Sequence, residues 1–218
     1  MIVSSEHNFG FVHIPKCAGS TIRQPLRAKD DFDGRFYRSI DHPELGLVNG
    51  NHLPLDVLRT YFPDAFDALK GVTSYTVTRA PMDRFISGVA QLIRDRGGEP
   101  GTLEADALRA AAHGAIDYME ACSGRPDFAH TLFVRQIDYV FLDGARVVTH
   151  VYPMSRMDAL FDALDRDHGL VLARDTVWNP TVTYRFPALT DRLKAAKDIA
   201  KRMLPVGAYT RVRDIGVG

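Results

Sequence analysis

The stretch from Phe9 to Thr21, FGFVHIPKCAGST, constrains the fold more than any other part of the chain. Phe9 to Ile14 is a short apolar run that reads as a buried strand. Pro15 and Gly19 break it at once into a tight turn. Ser20 onward, STIRQPLR, has the look of a short helix that breaks or kinks near Pro25. A strand, a turn and a helix in immediate succession open a β–α–β unit, which calls for a mainly parallel sheet flanked by helices. Such a turn also aims unpaired amides and the positive end of a helix dipole at one point, a natural place for an anion. Gly19 lets the main chain come close to that anion, Ser20 and Thr21 offer hydroxyls, and Lys16 offers a full charge. The plain alternative is an ordinary strand–turn–helix junction with a surface lysine.

The rest of the chain keeps the alternation. Leu45–Asn51 reads as a strand and Pro54–Phe62 as a helix with proline at its first position. Ser74–Thr78, SYTVT, is β-branched and aromatic, hence a strand. Pro81 opens an amphipathic helix with Met82, Phe85, Ile86, Val89, Leu92 and Ile93 at helical spacing. GGEPG at Gly97–Gly101 is a loop. Thr102–Cys122 and Phe128–Tyr139 read as helices, Arg146–Tyr152 as a strand, Met157–Leu164 as a helix, and Leu189–Leu204 as a long helix near the C-terminus. Tyr139–Asp143 reads as core residues followed by a turn at Asp143-Gly144.

Composition narrows the classes. With 218 residues the chain suits one domain spanning 1–218. Lys plus Arg and Asp plus Glu both total 27, which argues against a general nucleic-acid binder. Two cysteines, Cys17 and Cys122, make no disulfide framework. No apolar run long enough for a transmembrane helix and no signal-peptide pattern occurs, so the expected location is cytoplasmic. No histidines stand at metal-ligand spacing, so no metal site is expected.

A second motif lies about 60 residues after Lys16, again behind an expected strand. In TVTRAPMDRFIS, Arg79 ends the strand, where ligands gather in open parallel sheets, and Ser87 lies nearly two turns inside the next helix. An arginine at the strand end and a hydroxyl on the adjoining helix can grip one phosphate from two sides.

These two segments resemble the sulfotransferase family that uses 3′-phosphoadenosine-5′-phosphosulfate (PAPS), in particular its carbohydrate-type members. HIPKCAGST is similar to the family's 5′-phosphosulfate loop, H-x-P-K-x-[AG]-G-[ST]-[ST]. RAPMDRFIS is similar to its 3′-phosphate motif, R-x-P-x-x-R-F-x-S. The resemblance covers residues 9–23 and 75–90, with a diffuse likeness through Val147–Leu164. It implies a P-loop-like three-layer fold with PAPS as co-substrate, bound by Pro15, Lys16, Cys17, Ala18, Gly19, Ser20, Thr21, Arg79 and Ser87.

Lys16 would stabilise the leaving phosphate oxygen. His52, in a loose G-x-H-like context at Gly50, would be the base that takes the proton of a hydroxyl acceptor such as a carbohydrate. Glu44 and His42 are weaker substitutes for that role, while His13 would orient the loop. Arg135 and Gln136 resemble a late family segment near the adenosine end, although a solvent-facing helix explains them equally. Cys17 beside Lys16 and a helix start has a setting that can lower a thiol pKa, yet small loop filler explains it better. Loops 30–46, with Phe32, Phe36 and Tyr37, and 97–102 would shape the acceptor site for a sugar, a phenol or a lipid-linked alcohol. The rivals are a P-loop kinase using ATP and magnesium, disfavoured because Lys16 is four residues ahead of Ser20, and a non-catalytic protein that binds an adenosine bisphosphate.

Overall fold

The computed structural model describes residues 1–121 and 130–174. Its centre is a four-stranded mixed sheet of β1 (Ile2–Ser4), β2 (Phe9–Val12), β5 (Thr73–Thr78) and β8 (His150–Pro153), in the order β1-β2-β5-β8. Only the edge pair β1–β2 is antiparallel; β2–β5 and β5–β8 are parallel. The two remaining pairs of strands are small hairpins: β3 (Ser39–His42) with β4 (Gly46–Asn49), and β6 (Phe141–Leu142) with β7 (Ala145–Arg146). Helices α1 (Gly19–Arg23), α2 (Leu55–Tyr61), α3 (Pro63–Lys70), α4 (Pro81–Asp95), α5 (Ala105–Ala121) and α6 (Met157–His168) complete the described α/β architecture.

Parallel strands covered on both faces are buried along their length: β2 is buried throughout and β5 from Ser74 to Thr78, where the buried Ser74 and Thr76 hydroxyls are hydrogen-bonded to Thr149 and Val12. Phe9, Phe11, Tyr75, Val77 and Val151 join Leu58 of α2, Phe62 between α2 and α3, Leu69 of α3, and Leu160 and Leu164 of α6 in the larger core. A second cluster is made by Phe85, Ile86 and Val89 of α4 against Leu108, Ala112 and Ile116 of α5, closed by Phe133. Proline at the first position of α4 fits its entry, because that N–H has no intrahelical acceptor.

Three sequence expectations change. First, β1 and β3 form where no strand was expected; both are short and gain their regularity from pairing with a neighbour. Second, Arg146–Tyr152 is not one strand. Asp143 (φ 51°) and Gly144 (φ 80°) make the two-residue turn of the β6–β7 hairpin, as left-handed backbone at both positions favours. The Arg146 guanidinium then takes the carbonyls of Val148 and Thr149 at 2.8 Å each, and the chain rejoins the sheet only at His150. Third, the described part of Phe128–Tyr139 is not an α-helix but two 3₁₀ turns, His130–Leu132 and Gln136–Tyr139, with Arg135 extended between them. Gln136 is buried there, and its amide is used by another strand rather than by a helix. Leu189–Leu204 and Cys122 lie outside the described residues.

The exit of β2 is tied to β5 by a buried side chain. Thr76 Oγ1 donates to the Val12 carbonyl at 2.7 Å, just ahead of the Pro15–Thr21 turn. Thr76→Val keeps the shape and removes the donor, so urea unfolding should show a loss of about 0.5–1.5 kcal/mol.

Candidate functional site

The turn after β2 folds back on itself. Lys16 (φ 65°) and Ala18 (φ 58°) both adopt left-handed backbone, uncommon for residues that carry a Cβ. Burial alternates along it: Pro15, Cys17 and Gly19 point inward, whereas Lys16, Ala18 and Ser20 are partly open. Thr21 N donates to Ala18 O at 3.0 Å. Among the described residues the amides of Lys16, Cys17 and Ala18 have no acceptor, so they stand ready for an anion in a concavity of the kind that left-handed turns make.

Gly19 is required by its neighbour. A Cβ placed on Gly19 would lie 2.0 Å from Cδ2 of His13, whose ring lies against the glycine. His13, just beyond the end of β2, therefore shapes the loop from inside.

Arg79, at the end of β5, meets this turn. Its Nη1 donates to the Lys16 carbonyl at 3.3 Å, and the residue is 7% exposed. Arg84, one turn into α4, donates from Nε to Pro15 O at 2.9 Å and from Nη2 to Leu132 O at 3.1 Å. Lys16 Nζ reaches Gln91 Oε1 at 3.4 Å. Arg84, Ser87 and Gln91 are three and four residues apart, so they form one stripe on α4, and its two ends touch the loop. Ser87 stands between them. It is 1% exposed, and its Oγ has no hydrogen-bond partner among the described residues. A buried hydroxyl left so is costly unless something else completes it.

Gln136 is the piece that sequence reasoning weighed too lightly. It is 4% exposed, so the solvent-facing reading fails for it. Its Oε1 accepts from Arg79 N (2.9 Å) and from Cys17 Sγ (3.4 Å), and its Nε2 donates to Arg79 O (2.9 Å). A single amide thus completes the main chain of Arg79 and holds the loop. Arg135 does face outward, in an exposed ion pair with Asp138 (2.7 Å). Arg84 was equally missed as a functional residue, although the RAPMDRFIS string contains it.

His52 lies beside the loop. Its Nδ1 is 3.0 Å from His13 O, and its ring centroid is 4.3 Å from that of His13. A carbonyl can only accept, so Nδ1 carries the proton and Nε2 the lone pair. Tyr139 Oη donates to His52 O at 3.2 Å and fixes the main chain there. Burial lowers the His52 pKa to about 3, and burial followed by the nearby His52 lowers His13 well below the usual histidine range. Both rings are neutral at pH 7.

The other candidates for the base are placed elsewhere. His42 packs edge-on against Tyr61 and Phe62, and Glu44 is exposed on the β3–β4 hairpin. Phe36 is no acceptor contact: it is fully buried against Phe32 and Phe62, and Tyr37 donates to Arg23 O at 2.9 Å. In loop 97–102, Pro100 is buried at the start of a 3₁₀ turn.

The charges around Lys16 are mostly positive. Burial, then the guanidinium groups of Arg94 and Arg79, lower its ammonium to about 8. Cys17 is raised to about 11 by burial, which outweighs the neighbouring Arg84 and Arg79. The raised thiol agrees with the reading of Cys17 as small loop filler rather than as an activated nucleophile. Among the described residues no group of three His, Cys, Asp or Glu side chains is placed to hold a metal ion, and no helix is long and apolar enough to cross a membrane.

Two outcomes follow from this geometry. Gly19→Ala should cost about 1–3 kcal/mol in urea unfolding, and most of that cost should vanish in the His13→Ala background. Iodoacetamide at pH 8 should leave the Cys17 peptide unmodified in the folded protein and alkylate it in urea, as peptide mass mapping would read.

Compared with protein-family models, with curated proteins and with solved structures, the chain matches none of them.

Proposed function

We propose that this chain is a PAPS-dependent sulfotransferase with a P-loop-like three-layer domain, acting on a hydroxyl acceptor such as a carbohydrate. One observation carries the reading: the Arg79 guanidinium rests on the Lys16 carbonyl, while the buried, unpartnered Ser87 hydroxyl lies on the helix stripe that touches the same turn. The two strings that resemble the family therefore belong to one site. An anion with a charged group at each end suits such a site, since the turn offers amides at one end and Arg79 with Ser87 offers a second grip.

In this reading Pro15, Lys16, Cys17, Ala18, Gly19, Ser20 and Thr21 form the cradle for the 5′-phosphosulfate, with Cys17 and Gly19 turned inward as packing. Arg79 and Ser87 hold the 3′-phosphate and keep the donor aligned. The acceptor oxygen attacks sulfur, the bond from sulfur to the bridging phosphate oxygen breaks, and that oxygen takes up negative charge. Lys16, charged below about pH 8, stabilises it. The proton leaves the acceptor for His52 Nε2, whose lone pair the Nδ1–carbonyl contact keeps available. An anionic donor beside that ring raises its low proton affinity and suits it better to the role.

Calorimetry with 3′,5′-adenosine bisphosphate and with magnesium–ATP is the first test, and the bisphosphate is expected to bind while magnesium–ATP does not. With PAPS and a panel of sugars, phenols and alcohols, Lys16→Ala should keep bisphosphate binding but lower transfer by about 10²–10³-fold. His52→Gln should lower transfer by about 10²–10⁴-fold with similar binding. Preferential binding of magnesium–ATP would point to a kinase. Binding of the bisphosphate without transfer to any acceptor would point to a non-catalytic protein.

A further inference from the structure

The α4 stripe continues one turn past the residues used above. Arg94 follows Gln91 by three positions, and its Nη2 donates to Gln91 Oε1 at 2.8 Å. The same oxygen accepts from Lys16 Nζ at 3.4 Å. Gln91 is itself fixed, because its Nε2 donates to Asp95 Oδ1 at 2.7 Å. One neutral amide oxygen therefore lies between two cations, held in place by a carboxylate on its other side. Neither motif string contains Gln91 or Arg94 in a specified role.

We propose that Gln91, with Arg94 behind it, is a positioning pair that sets where the Lys16 ammonium rests and how tightly it holds its proton. Gln91 keeps the ammonium on the helix face that also carries Ser87, so the charge already lies beside the donor's place. Arg94 occupies the second lone-pair direction of the same oxygen and adds a repelling charge. The groups that bear on Lys16 come from every side: Arg79 at the end of β5, Arg94 and Asp95 on α4, Cys17 next to it, and the neutral rings of His13 and His52. Asp95 raises the proton affinity of Lys16 and Arg94 lowers it, which fits the lowering to about 8 after burial. A glutamine at position 91 can place the ammonium without neutralising it; a glutamate there would hold it as an ion pair.

The role of this pair in transfer rests on the sulfotransferase reading, but the titration of Lys16 does not. Lysine labelled with ¹³C at Cε reports each ammonium by NMR, and Lys16→Arg identifies the Lys16 signal. Gln91→Glu should raise the proton affinity of Lys16 about tenfold or more. Arg94→Met should raise it as well, and Gln91→Met, which keeps the shape and removes the acceptor, should lower it. A merely structural role would not produce opposite signs at one position. Arg94→Met acts from outside the Lys16 contact, so it tests the pair even where a Gln91 variant fails to fold. An unmoved Lys16 titration in Gln91→Glu or Arg94→Met, or a rise in Gln91→Met, overturns the inference. Sulfuryl transfer from PAPS at pH 7 and pH 9 adds the functional arm. The wild-type rate should fall across that interval as Lys16 loses its charge, and the fall should be smaller in Gln91→Glu. No transfer at either pH would remove the sulfotransferase reading and leave the titration to decide on Gln91.

Discussion

The site depends on one buried amide. Where β5 ends, the main chain of Arg79 leaves the sheet with a donor and an acceptor that no strand completes. Gln136 supplies both partners, each at 2.9 Å, and also takes the Cys17 thiol. Unpaired main-chain groups at the buried end of a central strand would each cost about 1–3 kcal/mol, so this amide decides where β5 can stop. Once Arg79 is fixed, its guanidinium falls on the Lys16 carbonyl, and the first residues of α4 follow from the proline two positions later. Arg84 then anchors α4 to Pro15 and to the Leu132 carbonyl. Three segments far apart in sequence, 15–17, 79–84 and 132–136, meet through polar bonds to main chain, in a place where apolar packing alone would not set the register.

How much of this was legible in the sequence depends on the range of the signal. Local patterns served well. The strand–turn–helix at Phe9–Thr21, the strand before Arg79 and the amphipathic helix opened by Pro81 are each determined by residues within a few positions of one another. The Asp143-Gly144 turn is local in the same sense. What the sequence left hidden is what long-range partners decide. The bond from Gln136 to Arg79 spans 57 residues, so nothing near Gln136 marks it as buried. The same holds for the Lys16–Gln91 contact, which spans 75 residues. The run Arg146–Tyr152 has strand composition throughout, but the Arg146 side chain bends it by taking two carbonyls. Phe36 has the composition of a binding loop, and core aromatics on either side claim it.

Electrostatics explain why neutral histidines and a weakly acidic ammonium coexist. Burial is the largest cause of the shifts at His13, His52 and Lys16, and in each case it disfavours the charged form. Lys16 keeps its charge at neutral pH only because its ordinary value starts so much higher. The result is a graded set: guanidinium groups that stay charged, an ammonium near its midpoint in mild base, and imidazoles that stay neutral. Cys17, raised to about 11 by burial, adds no negative charge to it.

The left-handed backbone at Lys16 and Ala18 has a consequence for binding. Each such residue costs about 1–2 kcal/mol relative to ordinary helical backbone, and tertiary packing must supply it before any ligand arrives. The His13 ring on Gly19, the Arg79 bond to Lys16 O and the Arg84 bond to Pro15 O are what hold the loop in that shape. In the proposed reading an entering anion meets a preorganised cradle and loses little affinity to ordering the chain. The strain is borne by the folded protein at all times, so selectivity for ligand shape is built in at folding rather than acquired on contact.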